Sequence, residues 1–312
     1  MKGNAPILAG VDGSASSLLA TAWAARAAAQ RHAPLVLVAT MLMPVPYGAG
    51  IGPPPGYFSG LEAEGKRRLD EADEHARLVA AEVSGAGELA VSTEFHIGNP
   101  VPILRERARS ARMLVLGTRG LGELTGTFVG SVAVALVSHG PCPVAVVRGR
   151  GQDGEPPAEG PVVVGVDGSP MSEAAVAAAF EEAAVRGTSL IAVHAWSDAS
   201  FAAATGFSGL GPSGALGAEG LVWDEIETKE RLVLAERLAG WQERYPEVSV
   251  ERVVRRDRPL RGLLELAAQA QLLVVGSRGR GGFSGMLLGS TSNALVYSAP
   301  CPVLIVRHQP GG

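Results

Sequence analysis

The chain repeats itself. ILAGVDGSASS (7–17) matches VVVGVDGSPMS (162–172), and APLVLVATM (33–41) matches TSLIAVHAW (188–196). ARMLVLGTRG (111–120) matches AQLLVVGSRG (270–279), and GPCPVAVVR (140–148) matches APCPVLIVR (299–307). The offset is 155 at Asp12/Asp167 and 159 at Gly117/Gly276 and Cys142/Cys301, so the second half carries four extra residues between these points. A period this long is a domain rather than a solenoid repeat. Any fold proposed for one half must therefore accommodate the other. The intervening GRGQDGEPPAEGP (149–161), rich in Gly, Pro and charge, reads as a linker. The expected domains are 1–148 and 162–308.

Within each half, short β-branched runs alternate with helical patterns. The runs lie near 6–11, 35–40, 89–96, 112–116 and 143–147, with partners near 162–166, 189–195, 248–255, 272–275 and 302–306. Several are apolar almost throughout, as strands covered on both faces of a parallel sheet are. Helical patterns in the first half cover 17–32, 65–83, 100–111 and 131–140. Five strands joined by four crossovers imply an α/β fold: two tandem open five-stranded parallel sheets flanked by helices, Rossmann-like in outline. The inserts at 44–60 and 198–220 are too rich in Gly and Pro for a core, and read either as flaps over a site or as surface loops.

In such sheets ligands bind at the carboxyl ends of the strands, where strand order reverses. There each half carries a glycine-rich stretch, GTRGLGELTGTFVGS (117–131) and GSRGRGGFSGMLLGS (276–290). Both have the spacing G-x-x-G-x(9)-G-S: Gly117, Gly120, Gly130-Ser131 and Gly276, Gly279, Gly289-Ser290. Glycine lets backbone N–H groups approach an anion, and the helix that follows adds open donors and the positive end of its dipole. Ser131 and Ser290 either cap that helix or offer a hydroxyl to a phosphate. Neither stretch is a P-loop, and neither spells G-x-G-x-x-G after a first strand. Asp12 and Asp167, at the ends of the first strands, either bind a ligand or start a turn. Ser169-Pro170 already makes a good N-cap and N1 pair. Arg119, Arg278 and Arg280 either reach phosphates or are simply solvated.

Together these features resemble the universal stress protein family, over essentially the whole chain and twice. The resemblance implies a five-stranded parallel sheet with ATP at the edge formed by the first and fourth strands. It places Asp12 and Asp167, Thr40 and Ala195, and Gly10 and Gly165 at the nucleoside end. It makes Gly117, Thr118, Arg119, Gly120, Gly122, Gly130, Ser131 and Val132 the first ribose- and phosphate-binding loop. Gly165's half supplies Gly276, Ser277, Arg278, Gly279, Gly281, Gly289, Ser290 and Thr291 as the second. Mg2+ or Mn2+ would come with the phosphates, and no residue is implied as its dedicated ligand. The resemblance also implies a homodimer, and internal packing of the two halves through the edges at 143–147 and 302–306.

The remaining features narrow the function classes. A net charge of −4 over 312 residues does not suggest a nucleic-acid binder, and no apolar run is long enough to span a bilayer. The N-terminus lacks the apolar stretch of a secretory signal, so a cytoplasmic protein is expected. Cys142 and Cys301, each in a PCPV context, read as buried structural thiols. HIGN (96–99) imitates an adenylate-forming signature but follows a third strand, and the other half has VRRDR there. His194, Trp23 and Trp196 read as core residues. No catalytic residue is predicted: no Lys, and no repeated Glu, Gln or His, occurs in the two motifs. A nucleotide-binding regulator is the leading expectation. A slow ATP-hydrolysing or nucleotide-transferring enzyme on the same sites is the alternative.

Overall fold

The computed structural model describes all residues except 1–4, 43–55, 86, 121–128, 150–153, 197–217, 257, 280–286 and 308–312, and leaves the side chains at 196, 218–226 and 256 undescribed. The chain divides into two compact units, Met1–Pro156 and Pro157–Pro310. The division falls within 149–161.

The first unit runs β1 (Ile7–Val11), α1 (Ala15–Ala29), β2 (Leu35–Met41), α2 (Tyr57–Ala81), β3 (Val91–Ile97), α3 (Pro100–Arg107), β4 (Met113–Gly117), α4 (Ser131–His139) and β5 (Val144–Val147). The second runs β6 (Val162–Gly165), α5 (Pro170–Arg186), β7 (Leu190–Trp196), α6 (Ala218–Arg244), β8 (Val250–Arg256), α7 (Pro259–Ala267), β9 (Leu272–Gly276), α8 (Ser290–Ser298) and β10 (Val303–Val306). Strand order is β3-β2-β1-β4-β5 in the first and β8-β7-β6-β9-β10 in the second. All strand pairs within each unit are parallel. The order therefore reverses between β1 and β4, and between β6 and β9.

Burial differs from strand to strand. The central strands β1, β4, β6 and β9 are almost wholly buried. Outer strand β3, VSTEFHI, is half exposed and mixes polar with apolar residues. In the first unit α1 and α2 pack together, as do α3 and α4. The α1 contribution is mostly alanine: Ala20, Ala24, Ala25 and Ala28 are all fully buried. Small side chains let helix and sheet approach closely, and alanine costs the helix nothing in propensity.

The inserts are shorter than the sequence suggests. Tyr57–Gly60 belongs to α2, and Ala218–Gly220 to α6. No proline interrupts 57–81, and i,i+4 pairs such as Glu62–Lys66 support its first turns. Gly56, in the left-handed region at φ 84°, forms the N-cap. Residues 44–55 and 198–217 of those inserts fall outside the described residues.

Candidate functional site

Asp12 leaves β1 at the reversal point. Its Oδ1 accepts from the Ser14 backbone N–H (3.0 Å) and the Ser14 hydroxyl (2.6 Å). Ser14 then N-caps α1, its Oγ accepting from Ser17 N. So one carboxylate oxygen of Asp12 does serve a turn. The other does not: Oδ2 faces the glycine motif, and a Cβ added at Gly120 would lie 2.7 Å from it. The second unit repeats this. Asp167 Oδ1 accepts from Ser169 N (2.9 Å) and Oγ (2.7 Å), and Ser169 caps α5 with Pro170 following. A Cβ on Gly279 would collide with Asp167 Oδ2. The turn thus takes up Oδ1 of each aspartate, while Oδ2 of each faces the motif glycine.

The glycine loop closes on itself. The Gly130 N–H donates to Thr118 O (2.7 Å), and the Gly289 N–H donates to Ser277 O (2.8 Å). The two ends of each x(9) loop therefore meet directly above β4 or β9. Gly117 and Gly276 must be bare for another reason: a Cβ there would press into the backbone of Ser16 or Met171 in the opposing helix start. Thr118 and Ser277 are buried at this junction, with Ser16 Oγ 3.4 Å from Thr118 Oγ1 and accepting from Arg119 N.

Ser131 and Ser290 do not cap. The N-cap positions are Gly130 and Gly289, which provide no side-chain acceptor, and the serines are the first helical residues, exposed. Among the described residues no side chain caps the first-turn N–H groups of α4 and α8. Val132 and Thr291 follow, partly buried. Thr40 on β2 and Ala195 on β7 are partly buried at the carboxyl ends of their strands. Gly10 and Gly165 have a packing explanation: a Cβ on Gly10 would meet Leu116 at 2.7 Å, and one on Gly165 would meet Val275 at 3.3 Å. Gly122, Gly281 and Arg280 lie outside the described residues.

Some neighbours of the site had no distinctive sequence signal. In the first unit, Arg68 of α2 donates Nη1 to the Asp12 carbonyl (2.7 Å) and Nε to Glu64 (2.7 Å). Hydrogen bonds from Arg67 and Arg68 hold the Glu64 carboxyl down at about 2. In the second unit, His194 is buried, as expected of a core residue. Its Nδ1 lies 2.6 Å from Val166 O, which can only accept, and its Nε2 lies 3.0 Å from Glu230. A Glu–x3–Arg spacing is common on any helix, so nothing marked Arg68. His194 looked apolar in its surroundings because its partner lies on a distant helix.

The decoys have structural explanations. Asn99 of HIGN caps α3, accepting from Val101 N (3.0 Å), and His96 pairs with Glu94 on β3. Cys142 and Cys301 are both buried and unbridged. Trp23 is buried; the Trp196 side chain lies outside the description. Among the described residues no group of three His, Cys, Asp or Glu could hold a metal, and no helix is long and apolar enough to cross a membrane.

The model of the universal stress protein family matches residues 3–148 and again 160–307. The chain belongs to the universal stress protein family, in a tandem two-domain form. A universal stress protein of Mycobacterium tuberculosis is 42% identical over 302 residues, covering 97% of each chain. One of Mycolicibacterium smegmatis is also 42% identical over 302 residues, covering 96% of each. Among solved structures, a universal stress protein from Archaeoglobus fulgidus superposes with a TM-score of 0.70 at 16% identity, covering 99% of this chain and all of its own. That likeness establishes the fold.

Proposed function

We propose that each domain holds one ATP and that occupancy alters the protein's conformation or its partners. One observation carries this reading. In both domains the same carboxylate oxygen, the same bare glycine and the same self-closed loop converge beside an uncapped helix start. The carboxylate repels phosphate and accepts from hydroxyls, which suits the ribose side. The loop and the first-turn N–H groups are fixed donors, which suits the phosphates. The remaining assignments follow this division: Asp12, Thr40, Asp167 and Ala195 face the nucleoside, and the two glycine loops with Ser131 and Ser290 face the phosphates. Mg2+ or Mn2+ would arrive on the phosphates, because the chain offers no ligand cluster of its own among the described residues. The protein is read as cytoplasmic and as a homodimer.

ATP is held rather than turned over quickly. Fixed donors stabilise the ground state, whereas acceleration needs stabilisation greater in the transition state and an oriented water. The experiment is mass analysis of nucleotide released on denaturing the purified protein, followed by equilibrium dialysis with labelled ATP. Two ATP per chain are expected; a plateau at one, or no nucleotide, overturns the assignment. Single-turnover hydrolysis on the seconds timescale with Mg2+ or Mn2+ would favour the enzyme alternative.

A further inference from the structure

Two more arginines stand at these sites. In the parallel register Gly117 pairs with Val147, and Gly276 with Val306. The next residues therefore leave the sheet side by side at the same carboxyl edge: Thr118 beside Arg148, and Ser277 beside Arg307. The Ser277 N–H donates to Val306 O (2.8 Å), so the alignment extends past the last strand residue. The Arg307 Nη2 donates to Leu287 O (3.2 Å). Its guanidinium thus lies against the closing arm of the glycine loop, two residues before Gly289 and three before the start of α8.

We propose that Arg148 and Arg307 join Arg119 and Arg278 as a two-guanidinium clamp in each domain, positioned for the outer phosphates, so that the sites select nucleoside polyphosphates over monophosphates. This rests on the nucleotide reading above and specifies which nucleotides it concerns. The electrostatics agree in both domains. Burial, and then the charge of Arg119, disfavour the cation on Arg148; burial, and then Arg278, do the same to Arg307. A guanidinium does not surrender its proton in a protein, so both cations persist and repel. The planar forks can each take a phosphate bidentately. The pair recurs in both domains, although the junction at the head of the loop differs, Ser16 against Thr118 in one and Met171 against Ser277 in the other. The inner phosphate needs no guanidinium, since the first-turn N–H groups of α4 and α8 serve it. Only ligands with further phosphates extend to the clamp.

The test is equilibrium dialysis of the full chain with ATP, ADP and AMP, comparing the native protein with the double variant Arg148→Gln/Arg307→Gln. ATP affinity should fall by about tenfold or more, as expected for losing hydrogen bonds to charged groups, while AMP stays within about twofold. The preference for ATP over AMP should collapse, and the salt dependence of ATP binding should flatten. Arg148→Lys/Arg307→Lys, which keeps stem and charge, should fold even where the Gln pair does not and should show a smaller drop in the same ratio. Unchanged ATP affinity in the variants, equal loss for ATP and AMP, or a native protein without preference between them overturns the clamp alone. A native protein that binds none of the three overturns the nucleotide reading and the clamp with it.

Discussion

The two domains share a site and differ in what supports it. Asp12 and Asp167 have matching partners, and Gly120 and Gly279 are bare for the same reason. One shell outward the match ends. The first domain ties the Asp12 carbonyl to a guanidinium on α2; the second ties the preceding carbonyl, Val166 O, to an imidazole on β7 backed by a carboxylate on α6. The helix packing differs too. Position 25 is a buried alanine in α1, whereas its counterpart, Phe180 in α5, is fully buried and stacked on Trp241 and Tyr245 at centroid distances of 6.2 and 5.9 Å. A site built from backbone turns tolerates such drift. Its geometry depends on where a few main-chain atoms sit, and more than one packing solution can hold them there.

The sharpest way to break this comparison is at the bare glycines. Gly120→Asp would set a second carboxylate against Asp12 Oδ2 and against incoming phosphate, so the first domain's ATP binding should be abolished and stoichiometry fall from two to one in labelled-ATP dialysis. Gly279→Asp should do the same to the second. If either variant lost both sites, or neither, the domains would not be equivalent and separate binders. The next effect separates them by stability. Phe180→Ala should cost about 3–5 kcal/mol, because it empties a fully buried aromatic site, and the loss should appear in the second domain's hydrogen exchange first. Ala25→Phe would overpack an interface that has no space for a ring, so the aromatic cannot simply be exchanged between domains.

How much of this was legible in the sequence follows the same division. The strands were legible because buried parallel strands are continuous apolar runs, as in MLVLG and LLVVG, whereas the adjacency of first and fourth strands was implied only by the family resemblance. The glycine spacing was legible because close backbone approach needs glycine at fixed positions. The sequence does not decide between capping and an open hydroxyl at Ser131 and Ser290, because a serine next to a glycine at a helix start fits both; the glycine takes the N-cap position and leaves the serine exposed. The start of α2 was hidden because Gly and Pro before residue 56 obscured a helix beginning at Tyr57. Arg68, Glu230, Arg148 and Arg307 were invisible as site neighbours, since their roles depend on register and on contacts between elements far apart in sequence.

Arg68 tests whether the differing supports matter to binding. Arg68→Gln removes a charged hydrogen bond to the Asp12 carbonyl and should weaken the first site by about tenfold, corresponding to about 1.5 kcal/mol, with the second unchanged. Glu230→Gln should affect the second site only, through His194. Cross-effects of equal size would mean that the outer supports are shared rather than specific to each domain.

The smallest effect concerns pH. Glu64 orients Arg68, and hydrogen bonds from Arg67 and then Arg68 hold its carboxyl at about 2, below its ordinary 4.5. A depressed carboxyl favours the folded arrangement above its ordinary value and loses that contribution as pH falls from about 4.5 toward 2. Between pH 5 and 8 Glu64 should therefore add no slope to first-site ATP affinity. Carbon-13 carboxyl NMR, assigned with Glu64→Gln, should show its titration displaced to the acid side, and raising the salt should return it part of the way toward 4.5, because Arg67 is exposed and screened whereas Arg68 is half-buried. A Glu64 carboxyl that titrates near 4.5 at low salt would mean that the guanidiniums do not hold it. Arg68 would then be placed by its contact with Asp12 alone, and the first domain's support would depend on the site it is meant to brace.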